Sequence, residues 1–517
     1  MNTILKSEGI EMEKFALIYI GGNTIRYALW QIQADQSYIL LESYREDLKL
    51  GQNTHVENII KQEKIEHLLT ILKHFKEFSN SVSTNKTLIV LSEFFQRIEN
   101  TAGIEKRILE EIGDEIISLT CEEELHYDYL ALSHSMNLSK SLIVDISGVS
   151  TQIGYVDNGI LKDRYHIPVG PVSLTEKFNL ENLIQKENHI DLEKHLIEEI
   201  RKIPWLKSYT YNDMVIVGGS ARAISKIDRK KRRYPLDIIH EYTMENQDIH
   251  WHYKSLMTKN LNQRIQVPGL DKDRADILPS ALAIVDLLLQ ETGIEKIRVS
   301  GSGIREGFLL EHIHKKFGIL SPMLEQSISN ILSRHSVNKT KSKNLFTLTS
   351  ELYQSLNGVH KDWKDAQDIL FVSSRLRDVG LSVRYYNHDK HNFYIIVNSE
   401  LRGLDHRQII LCGLAATFTN GIHKEAPLLQ YGQIINRMDL EMVYDIGICL
   451  SLAERLLQSD HKELHLSKCS VTKDTIELKL LASDDIHFEL HDASKLSPVF
   501  HELYRKNLIL SYEKMQH

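Results

Sequence analysis

Four times in its first 310 residues the chain leaves an apolar strand for a turn of small residues. These turns are Gly21-Gly22-Asn23-Thr24, Ser147-Gly148-Val149-Ser150, Gly218-Gly219-Ser220 and Ser300-Gly301-Ser302-Gly303. One such junction is common wherever a strand meets a turn or helix. Four in series predict two α/β lobes whose loops converge on a phosphate-bearing ligand in the cleft between them. Turns of Gly, Ser and Thr let backbone N–H and hydroxyl groups approach an anion closely. The second junction is the richest. The strand Leu142–Ile146 carries Asp145 near its end, and a second strand follows the turn. Asp157-Asn158-Gly159 then reverses the chain, Asn-Gly being the strongest short-range hairpin signal. A carboxylate beside a phosphate-type turn suits a divalent cation, because Mg²⁺ takes carboxylate oxygen and bridges to phosphate.

A chain of 517 residues predicts three or four domains. Its net charge of −8 argues against a general nucleic-acid binder. No apolar run reaches the roughly 18 residues a membrane span needs, and Met1 to Lys14 lacks a signal-peptide core. A cytoplasmic protein without membrane or nucleic-acid partners is expected. Cys121, Cys412, Cys449 and Cys469 lie far apart without metal-ligand spacing, which fits reduced, buried thiols. The basic run Arg229-Lys230-Lys231-Arg232-Arg233 reads as a solvated loop ahead of an anion site.

Between the junctions, apolar spacing predicts helices over residues 56–76, 94–112, 190–203 and 277–290, with strands at 87–91 and 115–119. Residues 214–222 read as a strand and a small-residue loop. Cys121 to Tyr129 opens another helix, with Glu122, Glu123 and Glu124 in its first turn. Carboxylates there suit the helix dipole. The functional alternative is that one points into the cleft as a general base. From about Ile319 the texture turns helical, over 323–376, 406–418 and 440–458. His388-Asp389-Lys390-His391, with His360 and His406, reads as a polar surface loop ahead of a metal site. Residues 464–481 and 486–490 alternate like strands, and a helix at 492–506 closes the chain.

These motifs, in this order, resemble the exopolyphosphatase / guanosine pentaphosphate phosphatase family. The matching segments are Tyr19 to Thr24 with Arg26, Glu123 to His126, Asp145 to Gln152, Ile167-Pro168-Val169-Gly170, Gly218-Gly219-Ser220, Pro268-Gly269-Leu270 with Arg274-Ala275-Asp276, and Ser300 to Gly307. The second half resembles the family's helical domain, related to HD-type metal phosphohydrolases, through Asn387 to Tyr394 and Asn398 to Leu404. The resemblance implies an α/β fold with duplicated ribonuclease-H-like lobes, as in actin, sugar kinases and heat-shock ATPases. An all-α HD-like domain and a small C-terminal α+β segment follow. The expected boundaries are 1–135 and 136–315 for the lobes, 316–430 for the helical domain and 431–517 for the last segment.

The resemblance also implies a function, namely release of terminal phosphate from inorganic polyphosphate or from pppGpp. Glu124 or Glu123 would be the catalytic base. Gly21, Gly22, Asn23, Thr24, Arg26, Gly148, Ser150, Thr151, Gly218, Gly219 and Ser220 would bind phosphate, and Asp145 would hold Mg²⁺. A homodimer is a further expectation. The sequence departs from the family pattern at several points. Tyr19 stands for an Asp and Gly22 for a Ser. Ser92 to Gln96 lacks the usual arginine unless Arg97 replaces it. Ser147 and Val149 replace glycines, and Gln152 replaces a Glu. Arg377-Asp378 stands where His-Asp is expected. A weakened polyphosphate- or alarmone-binding protein is therefore the rival reading, with a kinase-like transferase third.

Overall fold

The computed structural model describes residues 12–52, 54, 58–419, 426–459 and 463–515. The chain separates into two compact units between Met323 and Leu324.

The first unit holds two sheets. The strands β1 (Glu13–Ile20), β2 (Thr24–Ile32), β3 (Tyr38–Asp47), β4 (Lys86–Leu91) and β5 (Glu115–Ser118) lie in the order β3-β2-β1-β4-β5. β1 pairs antiparallel with β2 and parallel with β4. The strands β6 (Ser141–Ile146), β7 (Thr151–Asp157), β8 (Ile160–Ile167), β9 (Asp213–Val217), β10 (Tyr242–Glu245) and β11 (Lys296–Val299) form the other sheet. Its order is β10-β11-β9-β6-β7-β8. β6 is antiparallel to β7 and parallel to β9. Apart from the added edge strand β10, the second sheet repeats the order and strand directions of the first. This is the duplicated ribonuclease-H-like architecture.

Central strands of such sheets are buried on both faces, and alternation divides their side chains between two cores. On β1, Ala16, Ile18 and Ile20 join the core under the helix Gln62–Ser81, through Ile65, Leu68, Leu69 and Leu72. Phe15 and Leu17 face the opposite way, onto Phe308, Leu309 and Ile313 of the helix Ile304–Phe317. On β6, Ile143 packs with Leu125 and Leu132 of the helix Cys121–Ser133. So the helix that follows the first sheet lies on the second, and the helix that follows the second sheet lies on the first. The two cross in direct contact: the rings of Tyr127 and Phe308 stack at 3.7 Å, and the Tyr127 hydroxyl donates to Glu311 at 3.2 Å. Gly307 sits at the crossing, where a Cβ would overlap the carbonyl oxygen of Tyr127.

Several local elements differ from the sequence expectation. Residues 94–112 are a 3-10 turn, Glu93–Arg97, followed by the helix Thr101–Glu111. The helix expected over 56–76 runs from Gln62 to Ser81, and Val56 lies outside the described residues. Gly218-Gly219-Ser220 is not a loop but the first turn of the helix Gly218–Arg232. The basic run is that helix's last turn. Arg229 is buried, Arg229 and Arg232 pair with aspartates, and the Lys231 ammonium lies 3.5 Å from the Trp251 ring centroid. The run is structural because Ala221, Ala223, Ile224 and Ile227 supply the buried stripe that extends the helix.

The second unit opens with helices, among them Lys339–Ser355, Ala366–Arg375, His388–Val397, His406–Ala416 and Arg437–Leu456. Arg437–Leu456 packs on Lys339–Ser355 and His406–Ala416, so it belongs with these helices rather than with the C-terminal segment. A three-stranded sheet follows, in the order β12 (Leu464–Val471), β13 (Thr475–Ala482), β14 (Asn507–Lys514). β13 and β14 are parallel, which requires a crossover. The helices His487–Ser494 and Ser497–Tyr504 supply it, so residues 486–490 are helical rather than extended. Among the described residues no helix is long and apolar enough to cross a membrane.

Among the described residues of this unit, no group of three His, Cys, Asp or Glu ligand atoms converges. His388 contacts the Tyr385 carbonyl and His360 the Tyr353 carbonyl. The histidine-rich segment is a helix, not a loop. Arg377, 2% exposed, is held by Glu454 through two hydrogen bonds of 3.0 and 2.7 Å. Arg377 is thus committed to a structural ion pair.

Gly307→Ala is expected to destabilise the first unit by about 1–3 kcal/mol, the usual cost of overpacking. Urea denaturation followed by tryptophan fluorescence checks this. An unchanged midpoint would show that the crossing can spread without loss.

Candidate active site

The strand ends and turns of the two lobes meet around one pocket in the first unit. It is lined by Tyr19, the turn Gly21 to Thr24, Arg26, Glu93, Glu124, Asp128, Asp145, Ser147 to Val149, Gly218 to Ser220, Arg222, Arg274 and Gly303 to Glu306. The helices Gly218–Arg232 and Ile304–Phe317 both begin at its wall. Free N–H groups and the positive end of the dipole make such termini favourable for anions. Gly218 has φ +93°, and a Cβ there would stand 2.8 Å from Asp145 Oδ1, so a glycine is needed to bring this turn against the carboxylate.

The glutamates at the start of helix Cys121–Ser133 take different roles. Glu123 is exposed and forms a capping box with Thr120. Its carboxylate accepts from the Thr120 N–H at 2.8 Å and from the Thr120 hydroxyl at 2.9 Å. It does not line the pocket, so the catalytic role expected for it is not supported. Glu124, one residue further around the helix, is 1% exposed and faces the pocket. Its Oε1 accepts from the Tyr19 hydroxyl at 2.8 Å and from the Glu93 backbone N–H at 2.9 Å. Asp128 lies one turn on, also buried and on the same face.

The remaining expected phosphate ligands divide in two. Gly21, Gly22, Asn23, Thr24, Arg26, Gly148, Gly218, Gly219 and Ser220 line the pocket. Ser150 and Thr151 do not. The Ser150 hydroxyl donates to Glu93, and the Thr151 hydroxyl donates to the Val169 carbonyl at 2.9 Å. β7 has begun at Thr151, so these side chains turn into the lobe. Asp145 is 9% exposed, and its Oδ2 accepts from the Ser147 hydroxyl at 3.2 Å. Arg97 lies outside the pocket, paired with Glu93 at 2.9 Å.

Burial and crowding set the charge states. Burial, with Glu93 nearby, pushes Glu124 up to about 8. Burial also raises Asp145, to about 6, against the opposing pull of the Ser147 hydroxyl, Arg26 and Arg222. Asp128 is raised by burial and by Asp145 and Glu124. On the other side stand guanidinium groups. Burial, reinforced by Arg222, Arg305 and Arg274, lowers Arg26 to about 9. Burial lowers Arg222 and Arg274 in the same direction. All stay charged at neutral pH. Arg26 and Arg274 form no ion pair among the described residues. The pocket thus sets unneutralised guanidiniums opposite carboxyl groups that resist ionisation, an arrangement that an incoming anion would stabilise.

The guanidinium side continues outward. A second groove shares Arg26, Arg222, Arg274 and Arg305 with the pocket, and its further cations Arg45, Lys226 and Arg229 are paired with aspartates. Arg222, Arg305, Asp128 and Tyr19 were not recognised as site residues from sequence. Asp128 was legible, since positions i and i+4 share a helix face. Arg305 and Arg274 fell within recognised motifs that carried no assigned role. Nothing in the sequence marked Tyr19 as the partner of Glu124, which is 105 residues away.

Residues 31–316 match the Ppx/GppA phosphatase family, and residues 324–496 match Ppx/GppA phosphatase domain III. Among solved structures, the chain is similar to the Aquifex aeolicus member of the Ppx/GppA family. The identity is 22% and the TM-score 0.52, over 59% of this chain and 99% of that one. It is also similar to an exopolyphosphatase from Cytophaga hutchinsonii, at 17% identity and a TM-score of 0.55, over 59% of this chain and 98% of that one. At these identities the structural likeness speaks for the fold. The two family matches extend over most of the sequence, and the chain belongs to the Ppx/GppA phosphatase family.

Proposed function

We propose that the protein hydrolyses the terminal phosphoanhydride bond of a linear polyphosphate. The observation that carries this reading is the row of Arg26, Arg222, Arg274 and Arg305, which line both the pocket and the outer groove. A chain of repeated anionic groups matches that row better than a nucleotide with one charged end. The terminal phosphoryl would sit against the amides of Gly21 to Thr24, Gly148 and Gly218 to Ser220, with Arg26, Arg222 and Arg274 balancing its charge. Glu124 takes a proton from water as the water oxygen attacks phosphorus. The bond from phosphorus to the bridging oxygen breaks, releasing orthophosphate and a chain one unit shorter. Positioning and charge stabilisation supply most of the rate in phosphoryl transfer.

The residues fit a divalent cation at Asp145, as the family resemblance implies. Asp145 offers a carboxylate beside the turn Ser147 to Val149. The carboxyls of Glu124, Asp128 and Asp145 do not converge as a three-ligand set among the described residues. Asp145 alone would then hold Mg²⁺, with water and substrate oxygens as its remaining ligands. When bound, it supplies positive charge at the phosphate.

A second reading is binding without turnover, favoured by Tyr19. Its hydroxyl occupies Glu124 Oε1, and Glu124, at about 8, is mostly protonated at neutral pH.

Phosphate release from polyphosphates of graded length, and from pppGpp, with Mg²⁺ separates the readings. Hydrolysis that strengthens with chain length, and a fall of roughly 10²–10⁴-fold in Glu124→Gln, is expected. Tight binding with no release in wild type would favour the second reading. Preference for pppGpp over every polyphosphate would overturn the substrate assignment.

Activity is expected to climb with pH as Glu124 ionises. The groups facing it are Tyr19 from β1, Glu93 from the 3-10 turn and Asp145 from β6. The Tyr19 hydroxyl stabilises the carboxylate. Tyr19→Phe should therefore move the rising limb of the kcat/KM profile to higher pH, whereas an acid shift would show that Glu124 is not the base. Stability carries the opposite sign. A carboxyl raised on folding contributes stability below its unfolded pKa and loses it as pH rises toward about 8. Glu124→Gln should accordingly melt higher than wild type at pH 8–9, with the gap closing toward pH 4–5. Thermal melts across that range check this.

A further inference from the structure

One wall residue of the pocket, Glu93, also belongs to a second cluster that does not line it. Glu93, Cys121 and His166 come from three separate elements: the 3-10 turn, the first residue of helix Cys121–Ser133, and β8. One ligand atom from each lies within 4.8 Å of the other two. Cys121 Sγ is 3.7 Å from Glu93 Oε2. His166 Nδ1 contacts the amide oxygen of buried Gln152 at 3.2 Å. With an oxygen as its partner, Nδ1 carries the proton and donates. The lone pair is then on Nε2, which faces the cluster. Metal-bound histidines show this same arrangement, with the remote ring nitrogen donating to a neighbouring oxygen that fixes the tautomer.

A cation already marks the centre. Arg97 Nη2 lies 2.9 Å from both Glu93 oxygens and 3.4 Å from His166 Nε2. Its side chain is 35% exposed, so it has a path outward. Sulfur, imidazole nitrogen and carboxylate oxygen together suit Zn²⁺ or Cd²⁺, with water as the fourth ligand, and do not suit the all-oxygen preference of Mg²⁺.

We propose that Glu93, Cys121 and His166 form a binding site for a zinc-type divalent cation, in which the Arg97 guanidinium competes with the metal for the same ligands. Binding releases the Cys121 thiol proton, and the thiolate and the Glu93 carboxylate together balance the two positive charges. The site adjoins the pocket through backbone: the Glu93 N–H holds Glu124, and Cys121 begins the helix that carries Glu124. Metal here would tie the turn to the helix start, independently of any cation at Asp145.

The test is a titration of the chelator-treated full-length protein with Cd²⁺ alone, without substrate, followed by the ultraviolet thiolate-to-cadmium band. One equivalent with that band is expected. The band should vanish in Cys121→Ser and persist in Cys469→Ser. Affinity should fall about tenfold or more in His166→Gln and rise in Arg97→Ala. Circular dichroism confirms that each variant is folded. If Cys121→Ser does not fold, His166→Gln decides alone. Absence of the band in both wild type and Arg97→Ala, a band that survives Cys121→Ser, or unchanged affinity in folded His166→Gln would each overturn the site.

Discussion

The first unit depends on the crossing of two helices at Gly307. Each helix follows one sheet in sequence and packs on the other, so the lobes are joined by exchanged elements as well as by chain continuity. The contact is possible because Gly307 presents no side chain to the Tyr127 carbonyl. The same helices carry the chemistry. Glu124 and Asp128 lie on one, and Arg305 and Glu306 open the other. Close packing of the crossing therefore also sets the position of a buried carboxyl relative to the helix termini that face it.

Across the pocket, charge is arranged in opposition. The carboxyl side is dry enough to hold Glu124 and Asp128 above their usual range. The guanidinium side is crowded enough that the arginines depress one another. The two sides offset each other only in part. Arg26 and Arg222 act on Asp145 and Arg305 meets Glu306, while Arg26 and Arg274 form no ion pair among the described residues. Such partial neutralisation is costly in a folded protein unless a ligand compensates. Such a site stores part of the free energy that an anionic ligand recovers on binding.

The departures from the family pattern are resolved in three physical ways. Tyr19 replaces a charge with a neutral donor to Glu124. Gln152 turns away from the pocket toward His166 and Cys121. In the second unit Arg377 supplies a fixed positive charge and Glu454 its partner. In each case a polar contact stands where the resemblance would place a metal or phosphate ligand. Arg97 follows the same pattern, held by Glu93 instead of reaching the pocket.

Much of this was written into local sequence. Short continuous apolar runs mark β1, β6 and β9, and small residues after them mark the turns, because apolar runs and glycine placement are properties of a few consecutive positions. The edge strands β3 and β10 were not legible: β3 is mostly exposed and lacks a buried face to impose a pattern, and β10, which buries Tyr242 and Met244, is too short for alternation to show. The last strand, β14, gains its identity only by pairing with β13. Glu123 and Glu124 are indistinguishable in composition and in helix propensity. Only the packed helix decides that one caps it and the other is buried. Likewise the guanidinium row draws on Arg26, Arg222, Arg274 and Arg305, nearly 280 residues apart in sequence. The sequence by itself determined the lobes, the turns and the family. Tertiary structure decided which carboxyl is dry, which arginines remain unpaired and which cysteine meets a histidine, because burial and distance arise only when remote segments pack together.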